Sequence, residues 1–389
     1  MYRELNPPTR LLLGPGPSMV HPRVLRVMAT PLVGHLDPAF LELMNEVQSM
    51  LREVFHTSNR LTVPISGTGS AGMEAALVNF IEPGDPVLIC VNGYFGERMC
   101  DMAARMGAEV HRLERPWGEA FTPEEIDAAL QKQPAKLVAI VHAETSTGVL
   151  QPMEGIGEVV HRHGALLLMD CVTSLGGVPV LVDEWDVDIA YSGTQKALSC
   201  PPGLAPITIS PRAEEVLKKR KTKVNSWYLD LTMIQRYWGL ERTYHHTAPI
   251  SMIYALREAL RVILEEGLER RWRRHRRNAQ ILWQGLEEMG LELVVPEEYR
   301  LPTLTTVWVP EGVNEGFLRR RLLEDYNIEI AGGLGVFKGR VWRIGLMGFS
   351  SQRANVLLLL SALEDILQQM IGKVPQETDE EDAPASVEE

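Results

Sequence analysis

Lys196 ends the run Asp188-Ile189-Ala190-Tyr191-Ser192-Gly193-Thr194-Gln195, an apolar strand pattern that passes into a turn of small residues. Upstream, the apolar segment Ala165-Leu166-Leu167-Leu168-Met169 stops at Asp170. Earlier still, Gly67-Thr68-Gly69-Ser70-Ala71-Gly72 opens a helical pattern that continues to Phe80. The chain therefore sets an amine, a carboxylate and a cluster of small residues at the ends of three elements. An acid at the carboxyl end of a buried parallel strand lies where open α/β sheets bind ligands. Small residues opening a helix leave backbone N–H groups free, and the positive helix end attracts phosphate. Thr68 and Ser70 add hydroxyl donors on either side of Gly69.

The glycine cluster matches G-x-G-x-x-G letter for letter. A dinucleotide site also needs an acid closing the next strand, about 20 positions on. The acid in range, Asp85, precedes the next strand pattern, Val87 to Val91, and cannot reach a ribose from there. A phosphate site passes this test; a dinucleotide site does not.

Pyridoxal phosphate needs all three features. Its aldehyde requires a lysine amine for a Schiff base, its pyridine nitrogen a carboxylate that keeps it protonated, and its phosphate an anion cradle. A lysine with an ordinary pKa near ~10.4 is a poor base at neutral pH, so the Schiff base and nearby cations must depress it. Lys196 then serves twice, as anchor and as proton carrier between substrate and cofactor. Singly, each feature has an ordinary explanation: Asp170 as a turn cap, Lys196 as a surface lysine, Gly67 to Gly72 as a tight turn. Their order, and their shared placement at element ends, favours the joint reading.

The elements that position them follow from hydrophobic spacing. From about residue 60 to 210, short apolar runs alternate with helical patterns, the mark of a mainly parallel sheet covered by helices. Val87 to Val91, Leu137 to His142, Ala165 to Met169 and Ile207 to Ile209 read as buried strands. Thr122-Pro123-Glu124-Glu125 is a capping box with proline at the first helical position, opening a helix through Leu130. A helix near Glu154 to His163 ends at Gly164, suited to a left-handed cap. After a helical stretch from Ser251 to Glu266, a second pattern begins: helix Trp272 to Met289, strands Leu291 to Val295 and Thr303 to Val309, helix Gly316 to Asp325, strand Val341 to Gly345, helix Arg353 to Ile371. The division is an N-terminal arm over 1–20, a large α/β domain over 21–266, a small α+β domain over 267–372 and a disordered acidic tail over 373–389.

The 389 residues suit two domains, and 45% hydrophobic with 23% charged residues is ordinary globular composition. The net charge of −12 argues against binding a phosphate backbone, although seven acids and no bases follow Gln376. The basic run Arg270 to Arg277 reads as a solvated, salt-bridged helix face over a stripe of Leu268, Trp272, Ala279 and Leu282. No apolar run approaches the roughly 20 residues that span a bilayer, so no membrane association is expected. Neither terminus carries a targeting pattern. Cys90, Cys100, Cys171 and Cys200 lack metal or disulfide spacing, so a reducing cytoplasm is expected. His245-His246 and His161-x-His163 lack further ligands at suitable spacing, so no metal is expected.

Six ordered segments carry a resemblance. They are Leu11-Leu12-Leu13-Gly14-Pro15-Gly16-Pro17, Ile65-Ser66-Gly67-Thr68-Gly69, Ser146-Thr147-Gly148-Val149-Leu150-Gln151-Pro152, Tyr191-Ser192-Gly193-Thr194-Gln195-Lys196, Tyr244-His245-His246-Thr247 and Arg343-Ile344-Gly345-Leu346-Met347-Gly348. Together they resemble the class V (fold type I) aminotransferases, close to the alanine–glyoxylate and serine–pyruvate enzymes, over nearly the whole chain. The resemblance implies a homodimer of fold type I subunits, each with a large cofactor domain and a smaller C-terminal one. By position it implies that Phe95 stacks on the pyridine ring, where the family often has tryptophan; phenylalanine keeps a π face with less area. Thr145 falls where a hydroxyl sits near ring and substrate, and Gln195 beside the phosphate. Tyr244 and Thr247 match residues that reach the partner's cofactor phosphate. Arg343 matches the clamp for the substrate α-carboxylate, a task suited to a bidentate guanidinium. Gly14 and Gly16 lie on an arm that passes the substrate pocket, where close backbone approach needs glycine.

The resulting expectation is a ping-pong transaminase taking an amino group from alanine or serine to glyoxylate or pyruvate. A lyase of the same fold, of the cysteine desulfurase or kynureninase kind, is the alternative. A desulfurase needs a cysteine on a mobile loop, and none of the four lies in such a loop. A non-catalytic scaffold recruiting partners through the acidic tail is a third reading, opposed by the intact lysine, aspartate and arginine set.

Overall fold

The computed structural model describes residue 2 and residues 4–371. The acidic tail expected over 373–389 lies outside the described residues. A seven-stranded sheet forms the centre, in the spatial order Leu61–Ser66, Leu204–Ile209, Ile189–Tyr191, Leu166–Asp170, Leu137–Val141, Pro86–Val91, Glu109–Glu114. Six strands run the same way; Leu204–Ile209 is antiparallel to both neighbours. Leu137–Val141 and Leu166–Asp170 are buried at every position, which is why they read as continuous apolar runs without alternation.

This topology gathers the chemistry at one edge. The six co-directional strands end on the same side of the sheet. Gly67, Gly93, Glu144, Asp170 and Ser192 therefore follow or close strands that point to a single crevice, although they are far apart in sequence. The helix Gly69–Phe80 leaves that edge directly from Leu61–Ser66, and Tyr94–Arg105 leaves it from Pro86–Val91. The helix Pro123–Lys132 forms the expected capping box, with Thr122 and Glu125 each bonding the other's backbone N–H.

A second apolar core joins Leu13 to Leu282, Leu286, Val307, Leu318, Trp342, Ile344 and Leu363. It is built from the helices Leu268–Glu288, Glu315–Tyr326 and Arg353–Ile371 on an antiparallel sheet of Leu304–Trp308, Val341–Gly345 and Ala331–Gly332. Leu11–Leu12 pairs in parallel with Ile328–Glu329, and Leu13 is fully buried, so the N-terminal segment is stitched into this core before it returns to the large sheet.

Two expectations need correction. Leu291 to Val295 forms no strand, only an isolated bridge of Leu293 with Val307, because the run is confined between the turn at Gly290 and Pro296. The arginine run is not wholly solvated either. Arg270, Arg273, Arg276 and Arg277 are exposed, but Arg271 and His275 are buried on the same face as Ala279 and Leu282. Arg271 survives burial because its donors are satisfied: Nε bonds Gly176 O at 2.7 Å, Nη2 bonds Ala197 O at 2.6 Å and Nη1 pairs with Glu266 at 2.7 Å.

Candidate active site

Lys196 follows the strand Ile189–Tyr191 on a tight loop, in which Cys200 N bonds Thr194 O at 3.1 Å and Ser199 N bonds Lys196 O at 3.0 Å. The N-terminal segment crosses this loop: Ser18 donates from its N to Gln195 O at 2.8 Å and from its Oγ to Lys196 O at 2.7 Å. Lys196 is only 8% exposed, and its Nζ donates to Pro15 O. Burial, helped by the Arg343 and Arg98 charges and opposed by Asp170, brings its amine down to about 8. The Arg343 and Arg98 charges act in the direction expected of nearby cations, but desolvation is the larger cause.

Asp170 closes its strand 2% exposed, and burial pushes its carboxyl up to about 6. Two donors oppose that rise: Tyr191 Oη on Oδ2 at 2.6 Å and Val172 N on Oδ1 at 2.8 Å. Between Asp170 and Lys196 lies a cavity of about 170 Å³, also lined by Thr68, Gly69, Ser70, Met73, Phe95, Arg98, Val172, Tyr191 and Gln195. Thr68 caps the helix Gly69–Phe80 without a side-chain cap bond; its carbonyl takes the Ala71 and Gly72 N–H groups, and those of Gly69 and Ser70 remain free for an anion. Gln195 Oε1 is buried with no partner. A half-turn of that amide presents its NH2 instead, a donor suited to the same anion.

Glu144 and Ser146 anchor the start of the helix Tyr94–Arg105, which carries Phe95. Glu144 Oε2 accepts from Phe95 N at 3.1 Å, and Ser146 Oγ accepts from Tyr94 N at 2.9 Å. A Cβ on Gly93 would stand 2.2 Å from Glu144 Cγ, so the contact demands glycine. Thr145 and Arg343 stand beside the cavity without lining it. Arg343 donates from Nη1 to Thr145 O at 3.2 Å and from Nε to Gly332 O at 2.7 Å, leaving donors on its outer edge. Thr145 Oγ1 is bonded to Thr173 Oγ1. Gly16, at φ 109°, passes so close that a Cβ there would lie 2.7 Å from Lys196 Nζ.

Tyr244 and Thr247 are not brought to this cavity. Both are exposed, with Tyr244 against the His35 ring at 5.3 Å. The intervening histidines form a relay. His245 Nε2 must donate to Trp227 O (3.2 Å), so its Nδ1 accepts from His246 Nδ1 (2.8 Å), and His246 Nε2 accepts from Ser66 Oγ (2.8 Å). Burial drives His246 down to about 4, which keeps it neutral for that task. His161 and His163 separately bond Asp188 and Asp127. Among the described residues no three His, Cys, Asp or Glu side chains gather to hold a metal.

Sequence reading missed Tyr191, Glu144 and Arg98. Arg98 stands one helical turn after Phe95, a spacing that places both on one face. Tyr191 is the register partner of Asp170 on the adjacent strand, which no local pattern announces.

A buried lysine facing a strand-end aspartate, with a bare helix start between them in an α/β crevice, defines a class of enzyme. The sequence pattern of the class-V aminotransferases matches residues 13–356. The chain belongs to that family, and it is an aminotransferase. It is 45% identical to the (S)-ureidoglycine–glyoxylate transaminase of Bacillus subtilis, covering 94% of this chain and 92% of that one. It is 45% identical to mouse alanine–glyoxylate aminotransferase, over 95% and 90% of the two chains. The crystal structure of an alanine–glyoxylate aminotransferase from Nostoc superposes with a TM-score of 0.93 at 56% identity, covering 94% of this chain and 97% of that one.

Proposed function

We propose that this aminotransferase works with pyridoxal 5'-phosphate held by Lys196, moving an amino group from a small L-amino acid, alanine or serine, to glyoxylate or pyruvate. The observation that carries the reading is the single cavity bounded by the Lys196 amine, the Asp170 carboxylate and the open start of the helix Gly69–Phe80. The Gln195 amide, whose NH2 replaces its unpartnered oxygen on a half-turn, and the free N–H groups of Gly69 and Ser70 fit a phosphate there. When bound, the cofactor supplies an electron-accepting ring that stabilises negative charge at the substrate Cα.

The chain's own residues supply the rest. Asp170 holds a proton on the ring nitrogen, and Tyr191 keeps that carboxylate charged. Thr68, Gly69, Ser70 and Gln195 bind the phosphate, and Phe95 offers its face to the ring. Lys196, with its amine near 8, has a neutral fraction at physiological pH large enough to take the proton from Cα. Arg343 binds the substrate carboxylate through its outer edge, with Thr145 and Gly16 bounding the substrate. The relatives named for glyoxylate and alanine favour small partners.

The reading includes a homodimer, in which the exposed Tyr244 and Thr247 reach the partner's phosphate. It includes the division into 1–20, 21–266 and 267–372, and a cytoplasmic location consistent with four free, buried cysteines. No helix among the described residues is long and apolar enough to cross a membrane. The desulfurase alternative is disfavoured because all four cysteines are buried and burial pushes every thiol up, away from the reactive thiolate.

Borohydride reduction of the purified enzyme followed by peptide mapping tests the cofactor assignment: the label is expected on Lys196, and a label elsewhere overturns it. A donor panel with glyoxylate and pyruvate as acceptors, set against sulfide release from L-cysteine, tests the substrates.

A further inference from the structure

We infer that Arg98 is the charge partner of the cofactor phosphate, an assignment that rests on the pyridoxal-phosphate reading above. Arg98 projects from the helix Tyr94–Arg105 into the cavity of Lys196 and Asp170. Its Nη1 donates to Ser70 Oγ at 3.0 Å, which ties the guanidinium to the first turn of the helix Gly69–Phe80. Its other neighbours are aromatic: the guanidinium carbon lies 4.8 Å from the Phe95 ring centre and 5.3 Å from that of Tyr94.

Among the described residues Arg98 has no acidic partner. Half-buried Arg115, Arg274 and Arg300 are paired with glutamates, whereas Arg220 and Arg242, which also lack an acid, turn onto backbone carbonyls; Arg98 has neither and bonds only the Ser70 hydroxyl. Arg98 is thus a positive charge partly withdrawn from water with no ion-pair contact, its nearest acid in the cavity being Asp170, which the ring nitrogen claims, and it faces an anion cradle.

Charge balance gives it a task. A phosphate monoester carries about −1.5 to −2 near neutral pH, whereas a helix start contributes roughly +0.5. Lys196 is committed to the aldehyde, and Gln195, Thr68 and Ser70 are neutral. A guanidinium already oriented by Ser70 supplies a full charge, and its planar fork keeps further N–H groups to share with phosphate oxygens. A second arginine in such a cavity invites another role, that of clamping the side-chain carboxylate of a dicarboxylic donor. Position argues against it. Arg98 is tied to Ser70 at the helix start, while the carboxylate-binding candidate Arg343 is tied to Thr145 and Gly332.

The test compares two ligands on the full-length chain stripped of cofactor: pyridoxal phosphate, and pyridoxal, which lacks the phosphate. Arg98→Met is expected to weaken pyridoxal phosphate by on the order of 10- to 100-fold, the worth of a hydrogen bond to a charged group, and to leave pyridoxal unchanged. Arg98→Lys, which keeps the charge, is expected to recover part of the loss. Equal losses for both ligands overturn the assignment. So does an unchanged pyridoxal-phosphate affinity accompanied by a raised KM for L-aspartate, which makes Arg98 a substrate clamp. Wild-type chain that binds neither ligand sinks the cofactor reading itself, a separate result. Thermal melting of each variant is measured first; if Arg98→Met does not fold, Arg98→Lys and Arg98→Gln carry the same contrast.

Discussion

Tyr191 donates its phenolic hydroxyl to Asp170 Oδ2 across 2.6 Å, from the neighbouring strand where the two residues are register partners. Burial drives the Asp170 carboxyl up to about 6, and this bond is the largest influence pulling it back. Removing the hydroxyl therefore raises the pKa further, so less carboxylate is charged at any given acidic pH. Tyr191→Phe is expected to move the acid limb of kcat/KM to higher pH and to lower the neutral-pH rate by about tenfold or more, the worth of a bond to a charged acceptor. A pH–rate profile whose acid limb does not move would show that Tyr191 only packs.

Asp170 itself carries a larger effect. Asp170→Ala is expected to cost on the order of 10²-fold or more in rate, as for other single electrostatic groups aimed at developing charge. Lys196→Ala is expected to abolish turnover and borohydride labelling together. A folded Asp170→Ala enzyme with wild-type kcat removes the ring-nitrogen role.

Much of this site is readable without coordinates because it is built where elements end. The strand closing at Asp170, the bare helix start at Gly69 and the lysine after a small-residue turn are each local patterns. So are Val341–Gly345 and Arg353–Ile371, whose periodicity and flanking breakers fix their bounds. Relations set by neighbours distant in sequence were not readable. The reversed direction of Leu204–Ile209 leaves no trace in a uniformly buried strand, since a run apolar on both faces looks the same in either direction. Arg98 and Arg271 are both arginines on helices. Only the fold decides that one meets Ser70 and two aromatic rings while the other meets Glu266 and two carbonyl oxygens.

Gly16 tests whether the N-terminal segment shapes the site. Alanine there must hold φ near 109° and place a Cβ 2.7 Å from Lys196 Cδ and Nζ. The backbone strain is of order 1–3 kcal/mol, and the lysine must swing away from its present position. Gly16→Ala is expected to melt earlier and to lose activity by more than its lowered stability explains, with slowed cofactor loading as the separate sign. Full activity at reduced melting temperature would confine Gly16 to a backbone role.

Glu266 links the two cores and gives acid stability a specific origin. Burial pushes its carboxyl up, but Arg274 and Arg271 outweigh burial and hold it at about 2. Arg271 is itself lowered to about 10 by burial, which still leaves it charged at neutral pH. A carboxylate depressed in the folded state stabilises above its unfolded pKa, and that contribution disappears as pH falls through the folded value. The window here runs from about 4.5 down to about 2. The linkage is worth on the order of 3 kcal/mol at neutral pH, an upper figure because the carboxylate is partly solvated. Through Arg271 the same charge holds Ala197 O, beside Lys196, and through Arg274 it holds Gly348 O and Ser351 O, in the segment that leads into the helix Arg353–Ile371 of the second core. Glu266→Gln is expected to lower neutral-pH stability and to flatten its decline between pH 4.5 and 2, read from denaturant midpoints across that range. A variant whose acid decline matches the wild type would place the acid sensitivity at another carboxylate.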